Sequence, residues 1–192
     1  MELKIEPSRT ALVVIDLQRG IVGFPATPHA PTDVVARAAQ IADALRAAGG
    51  TVMLVHIGMS PDGKAALRPI TDAPMQGGGR SLPPDWSEIV PELKPEIADA
   101  VITKSQWGAF YGTDLDLQLR RRGIDTIILC GISTNVGVES TARDAYERGY
   151  QQIFVEDAMS ARATEEHTHT VSTVFARIGR VRSTAEVLAA LE

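Results

Sequence analysis

Two periodicities alternate along the chain. Short runs rich in β-branched residues occur at 11–15, 51–57, 100–102, 126–130, 152–155 and 180–181. Most are continuously apolar, without polar residues at alternate positions, which is the pattern of strands covered on both faces. Between them, apolar residues recur at helical spacing over 33–48, 114–122, 135–148, 165–178 and 185–191. Punctuation supports these helices. Thr32 and Thr113 are candidate N-caps, Ser183 and Glu186 have capping-box spacing, and Gly49, Gly123 and Gly149 stand as C-terminal stops. Strand–helix–strand repetition predicts an α/β fold: a three-layer sandwich around a central, mainly parallel six-stranded sheet with right-handed crossovers. Ligands on such sheets gather at the carboxyl ends of the strands, so the residues after each run are the candidates for chemistry.

Residues 58–99 break the alternation. They hold seven of the eleven prolines and a glycine triplet at 77–79, with little periodicity. A segment of this length is expected to be a functional loop or an oligomer contact. The triplet does not read as a phosphate loop, because no Lys-Ser/Thr follows and no helix opens behind it. No linker divides the chain, and residues 1–192 read as one domain.

Composition narrows the function classes. A chain of 192 residues can bury a full core, and 44% hydrophobic with 22% charged residues is a globular balance. A net charge of -5 without a dense Lys/Arg cluster argues against a nucleic-acid partner. Arg120, Arg121 and Arg122 end a predicted helix, where cations suit the dipole. The single cysteine, Cys130, excludes an internal disulfide and any multi-cysteine metal site. Residues 1–8 lack the pattern of a signal peptide, and no apolar run approaches the roughly 18 residues of a membrane span. A cytoplasmic protein with no membrane partner is expected.

Three strand ends carry unusual residues. After the first comes Asp16-Leu17-Gln18, and an acid at the end of a buried strand is costly unless it is paired or used in chemistry. After the third comes Lys104, then Ser105-Gln106-Trp107-Gly108-Ala109-Phe110-Tyr111. Asp16 is the natural partner of Lys104. After the fourth, Gly131-Ile132-Ser133-Thr134-Asn135-Val136-Gly137 forms a tight entry into a helix, whose unpaired N–H groups favour negative charge. Phe24, Trp107, Phe110 and Tyr111 are candidates for an aromatic pocket wall, in a chain with only 5% aromatic residues.

These segments resemble the isochorismatase-like hydrolases, a group that includes nicotinamidases, carbamoyl amidohydrolases and isochorismatases. The resemblance runs from about residue 10 to 191. It rests on the D-x-Q segment, the lysine segment and a long pattern, T-x-x-(C/G)-V-x-x-T-x-x-D-A-x-x-x-G-Y, present from Thr134 to Tyr150. In cysteine members of the group the aspartate is the general base, the lysine supports it, and the cysteine attacks a carbonyl to form a thioester under an oxyanion hole. The resemblance therefore assigns Asp16 and Lys104 as catalytic, and Ser133, Gly137, Asn135 and Gln18 as oxyanion or binding residues. It places a non-proline cis peptide at Ile132–Ser133 and implies a homo-oligomer, dimer or tetramer.

Gly137 stands where the cysteine of those members stands. Cys130 lies seven residues earlier, inside a predicted strand, and reads as a small buried core residue. Isochorismatases of the group also carry glycine there and cleave a vinyl ether with the aspartate as proton donor. They have a Tyr-Ala-His loop where this chain has Ser133-Thr134-Asn135, which argues against isochorismate itself. Three readings follow. The first is a hydrolase acting on a small metabolite without a covalent intermediate, with Asp16 as acid/base. The second is hydrolysis by a water lodged where the cysteine side chain would be. The third is a non-catalytic small-molecule-binding or vestigial member. No cofactor is expected, and no metal. The second strand ends with only one histidine, His56, and His29, His167 and His169 are distant in sequence and show no ligand spacing with it.

Overall fold

A computed structural model describes residues 3–58, 60, 62–73 and 82–192. Its strands are β1 (Thr10–Ile15), β2 (Thr51–Ile57), β3 (Ala100–Lys104), β4 (Thr126–Ile132), β5 (Gln151–Ser160) and β6 (Arg180–Arg182). They form one six-stranded, all-parallel sheet in the order β3-β2-β1-β4-β5-β6. The α-helical segments are α1 (Arg19–Val22), α2 (Pro31–Ala47), α3 (Leu115–Arg121), α4 (Glu139–Glu147), α5 (Thr164–His169), α6 (Ala176–Ile178) and α7 (Thr184–Ala189). Helices cover both faces, as the unbroken apolar strands predict.

Strand alternation sorts the core into two layers. Ala11, Val13 and Ile15 of β1 face Val138, Ala142 and Ala145 at the start of and along α4, with Leu115 and Leu119 of α3 beside them. Leu12 and Val14 face Val34, Ala38, Ile41 and Leu45, which recur at helical spacing on α2, and Val187 of α7. All six residues of β1 are buried. Cys130 lies in the second layer, fully buried.

The punctuation holds in part. Gly49, Gly123 and Gly149 have φ of 82°, 69° and 82°, the left-handed stop of a helix. Ser183 accepts from the Glu186 N–H while Glu186 reaches back to the Ser183 N–H, closing the predicted box ahead of α7. Thr32 is not a cap. α2 starts at Pro31 behind Ala30, because the fixed φ of proline suits the first helical position. Asp114 holds the cap position of α3, and Thr113 accepts from the Leu115 N–H at 3.2 Å. Arg120 and Arg121 close the last turn of α3. Arg120 donates to the Arg148 carbonyl, and its guanidinium lies 4.3 Å from the Tyr150 ring centroid.

Two predicted helices are interrupted. The segment after β4 opens as a π-helical turn, Thr134–Val138, before α4, and a second π-helical stretch, Thr170–Phe175, separates α5 from α6. Such turns concentrate at functional sites. β5 is longer than the run at 152–155 because its pairing with β4 shifts register: Phe154 pairs Leu129, but Met159 pairs Gly131. The residues between bulge outward at Glu156 and Asp157.

The irregular segment returns to the sheet near its end. Gln18 bridges Ile89, the Val90 N–H donates to the Leu17 carbonyl, and the Gly20 N–H donates to the Trp86 carbonyl. The glycine triplet at 77–79 lies outside the described residues. No described helix is long and apolar enough to cross a membrane.

Candidate active site

In the order β3-β2-β1-β4-β5-β6, successive strands are added outward on one side of β1 and then, from β4, on the other, and a crevice forms beyond the carboxyl ends of these two parallel strands. Asp16 directly follows β1 there, and the turn that begins at Ser133 directly follows β4. Asp16 has φ 56°, a left-handed conformation that costs on the order of 1–3 kcal/mol and that aspartate tolerates better than most residues. Its N–H still bonds the Val55 carbonyl at 2.9 Å, so the kink leaves the sheet paired while turning the side chain over the crevice.

Lys104 comes from the end of β3, two strands away, roughly 10 Å at normal strand spacing. Its extended side chain crosses over β2 and is fully buried. The ammonium donates to Asp16 Oδ2 at 2.7 Å and to the carbonyls of Gln106 and Trp107 at 3.1 and 2.9 Å. Three acceptors thus surround three donors, which is how a buried lysine stays in place. Asp16 Oδ1 is buried and has no hydrogen-bond partner among the described residues. Burial pushes the Asp16 carboxyl up from 3.8 to about 6, against the opposing pull of Lys104 and the weaker one of His56.

Gly137 lies directly across. A Cβ there would come within 2.9 Å of the Ile15 Cγ2 methyl and 3.0 Å of Asp16 Oδ2. The first part of the volume a side chain would need is therefore already taken by Ile15 and Asp16. Thr141 fixes this turn by donating to the Gly137 carbonyl at 2.7 Å while accepting from the Ala109 N–H at 3.1 Å. The Ile132–Ser133 peptide is cis. Asn135 has a buried Oδ1 without a partner among the described residues.

The remaining candidates separate by environment. The Gln18 amide is consumed by the backbone: its oxygen accepts from the Ile57 N–H at 2.7 Å, and its nitrogen donates to the Ile57 and Trp86 carbonyls. Phe110 is buried in the core with Leu115, Leu119 and Ala142, and the Arg148 guanidinium lies 5.1 Å from its ring centroid. Trp107 and Tyr111 are 58% and 77% exposed. Phe24, 67% exposed, borders a cleft of about 560 Å³ with Ile21, Pro25, Ile132, Ser133 and Arg162. His56, one residue before the end of β2, has both ring nitrogens engaged, Nδ1 at 2.7 Å from the Ser87 carbonyl and Nε2 at 2.9 Å from Thr103 Oγ1.

Sequence spacing concealed one cluster. His29 and His167, which show no ligand spacing with His56 in the sequence, converge on Glu156, and donor atoms of the three lie within 4.8 Å of one another. The sequence signal available was the charged pair Glu156-Asp157 interrupting an apolar strand. Nothing in the linear pattern paired it with two histidines on other elements.

A doubly wound parallel sheet, with a buried aspartate–lysine pair facing a helix-entry turn at its switch point, defines a recognisable class of α/β protein. Within that class the chain belongs to the isochorismatase family: residues 10–186 match the isochorismatase domain. It is 53% identical to the uncharacterized isochorismatase family protein YwoC of Bacillus subtilis, over 97% of this chain and 96% of that one. It is 34% identical to the ureidoacrylate amidohydrolase RutB of Methylorubrum extorquens, over 81% of this chain and 71% of that one. Among solved structures, an isochorismatase family protein from Burkholderia thailandensis superposes with a TM-score of 0.93 at 48% identity, covering 100% of this chain and 99% of that one.

Proposed function

We propose that this chain hydrolyses a small metabolite without a covalent intermediate, Asp16 serving as the proton-transfer group. The carrying observation is the state of Asp16: buried, raised to about 6, with Oδ2 committed to Lys104 and Oδ1 without a partner among the described residues. A proton on this carboxyl belongs on Oδ1. That oxygen gives its proton to the substrate, water attacks the activated carbon as the bond to the leaving group breaks, and the proton released by water returns to Oδ1. Lys104 holds the carboxylate that remains. The N–H groups of Ser133 and Gly137, with the Asn135 side chain, are assigned to hold a substrate oxygen. A water in the place of a cysteine side chain fits less well, since Ile15 and Asp16 crowd that place.

The test is a panel of vinyl ethers, carbamoyl compounds and amides followed by mass spectrometry. Turnover is expected to fall as pH rises through about 6, because the ionised carboxyl cannot donate. Asp16→Asn is expected to lose about 10²–10⁴-fold of the rate while circular dichroism shows a folded protein. A rate that climbs through that window, or a fully active Asp16→Asn, would overturn the reading.

Gly137 favours a second reading, a non-catalytic small-molecule-binding or vestigial member, since glycine brings no nucleophile. A metabolite that raises the melting temperature yet is recovered unchanged would support it.

We also propose a homo-oligomer. β3 is an edge strand with Val101 45% exposed, near Ile97 at 56%, and such edges are normally covered. Light scattering is expected to give a multiple of 20.6 kDa, and a monomeric mass would refute it.

A further inference from the structure

We propose that His29, Glu156 and His167 form a binding site for a divalent transition-metal ion, with two imidazole nitrogens and one carboxylate oxygen as ligands. Both His29 Nε2 and His167 Nε2 lie 3.9 Å from the same atom, Glu156 Oε2. The two rings are nearly perpendicular, with centroids 5.9 Å apart. A separation of 3.9 Å is too long for a hydrogen bond. It is close to the spacing of ligands sharing an ion: two donors each about 2.1 Å from a tetrahedral centre lie about 3.4 Å apart. Small rotations of the Glu156 side chain close the difference.

The second observation is the polar accounting. His29 Nε2 is buried and has no hydrogen-bond partner among the described residues, although it faces a carboxylate. An ion between them satisfies both. His167 is oriented from its other nitrogen, since Nδ1 lies 2.9 Å from Thr134 Oγ1. Donation of Nδ1–H to that hydroxyl oxygen leaves the Nε2 lone pair directed at Glu156, the supporting contact that metal-binding histidines use. Two imidazoles and a carboxylate select borderline ions of the zinc type over calcium or magnesium.

Three elements assemble the trio before any ion arrives. His29 lies ahead of α2, where its N–H donates to Ser160 Oγ at 3.0 Å and its carbonyl accepts from the same hydroxyl at 2.6 Å. Glu156 projects from the bulge in β5, and His167 lies in α5. The side chains of His29, Glu156 and His167 are 25%, 39% and 6% exposed, so the site opens on the Glu156 side and water can complete the coordination. Thr134 begins the π-helical turn that carries Gly137. The ion would therefore brace that turn from behind, as a positioning site separate from Asp16.

The test uses the full chain, stripped with a chelator and titrated calorimetrically with zinc chloride. Cobalt substitution adds the visible bands of a low-coordinate site. One ion per chain is expected, with affinity reduced at least about 10-fold in Glu156→Gln and in His29→Gln. His169→Ala, an exposed neighbour outside the trio, should bind as the unmodified chain does. His29→Gln lies ahead of a helix and keeps a readout if a variant at the buried His167 fails to fold. Absence of saturable uptake by the unmodified chain overturns the proposal. So does uptake unchanged in the Glu156 and His29 variants, which would place the zinc elsewhere.

Discussion

Asp16 and Lys104 set opposite demands on one buried volume. Burial alone would keep the carboxyl neutral, and the lysine pulls it back toward ionisation; the balance stands at about 6. Because the folded value lies above 3.8, the native state holds this proton more tightly than the unfolded chain. That stabilisation is full below about 3.8 and is lost as pH rises through about 6. Lys104→Met removes the opposing cation and leaves burial, so Asp16 should titrate above its present value. The stability lost should then be small at pH 5, where a protonated carboxyl needs no cation. It should grow by up to about 2.5 kcal/mol by pH 8, where the folded variant must hold a proton that the unmodified chain has released. Urea denaturation at the two pH values checks this, and an equal loss at both would refute it. Asp16 and Lys104 were legible in the sequence because charges ending apolar strands are conspicuous. The orientation of Phe110 was not legible, because inward and outward positions in an irregular turn have no period to read.

At the scale of elements, the approach of β4 to β1 decides where the site sits. Gly131 pairs with Ile15 at φ 125°, and a Cβ there would fall 2.1 Å from the Ile15 carbonyl oxygen. Gly131→Ala must push the two central strands apart just below Asp16, and it should destabilise by about 3 kcal/mol or more. Gly123→Ala is the control. It also has positive φ but open space around it, so it should cost only about 1 kcal/mol. Urea midpoints separate the two, and similar losses would show that the contact with β1 does not matter. Strands and helices were readable from periodicity, and the Ser183–Glu186 cap from spacing. The bulge of β5 and the π-helical turns were not, because both arise from how a segment is forced to meet its neighbour.

For the whole molecule, the two apolar layers enclose Cys130 so completely that burial pushes its thiol up to about 12. It should resist Ellman's reagent in the native state and react once per chain in denaturant. Rapid native labelling would contradict the packing between β4 and α2. The sequence by itself determined the alternation of strands and helices, the parallel sheet, the residues at its switch point and the glycine at position 137, because each is written in local spacing or in a contiguous motif. The tertiary structure alone decided three things: that Asp16 is held near 6, that Gln18 serves the backbone, and that His29, Glu156 and His167 meet. Desolvation, hydrogen-bond partners and ligand geometry are properties of distances between segments far apart in the chain, and those distances exist only once the sheet has closed and its connections have packed against it.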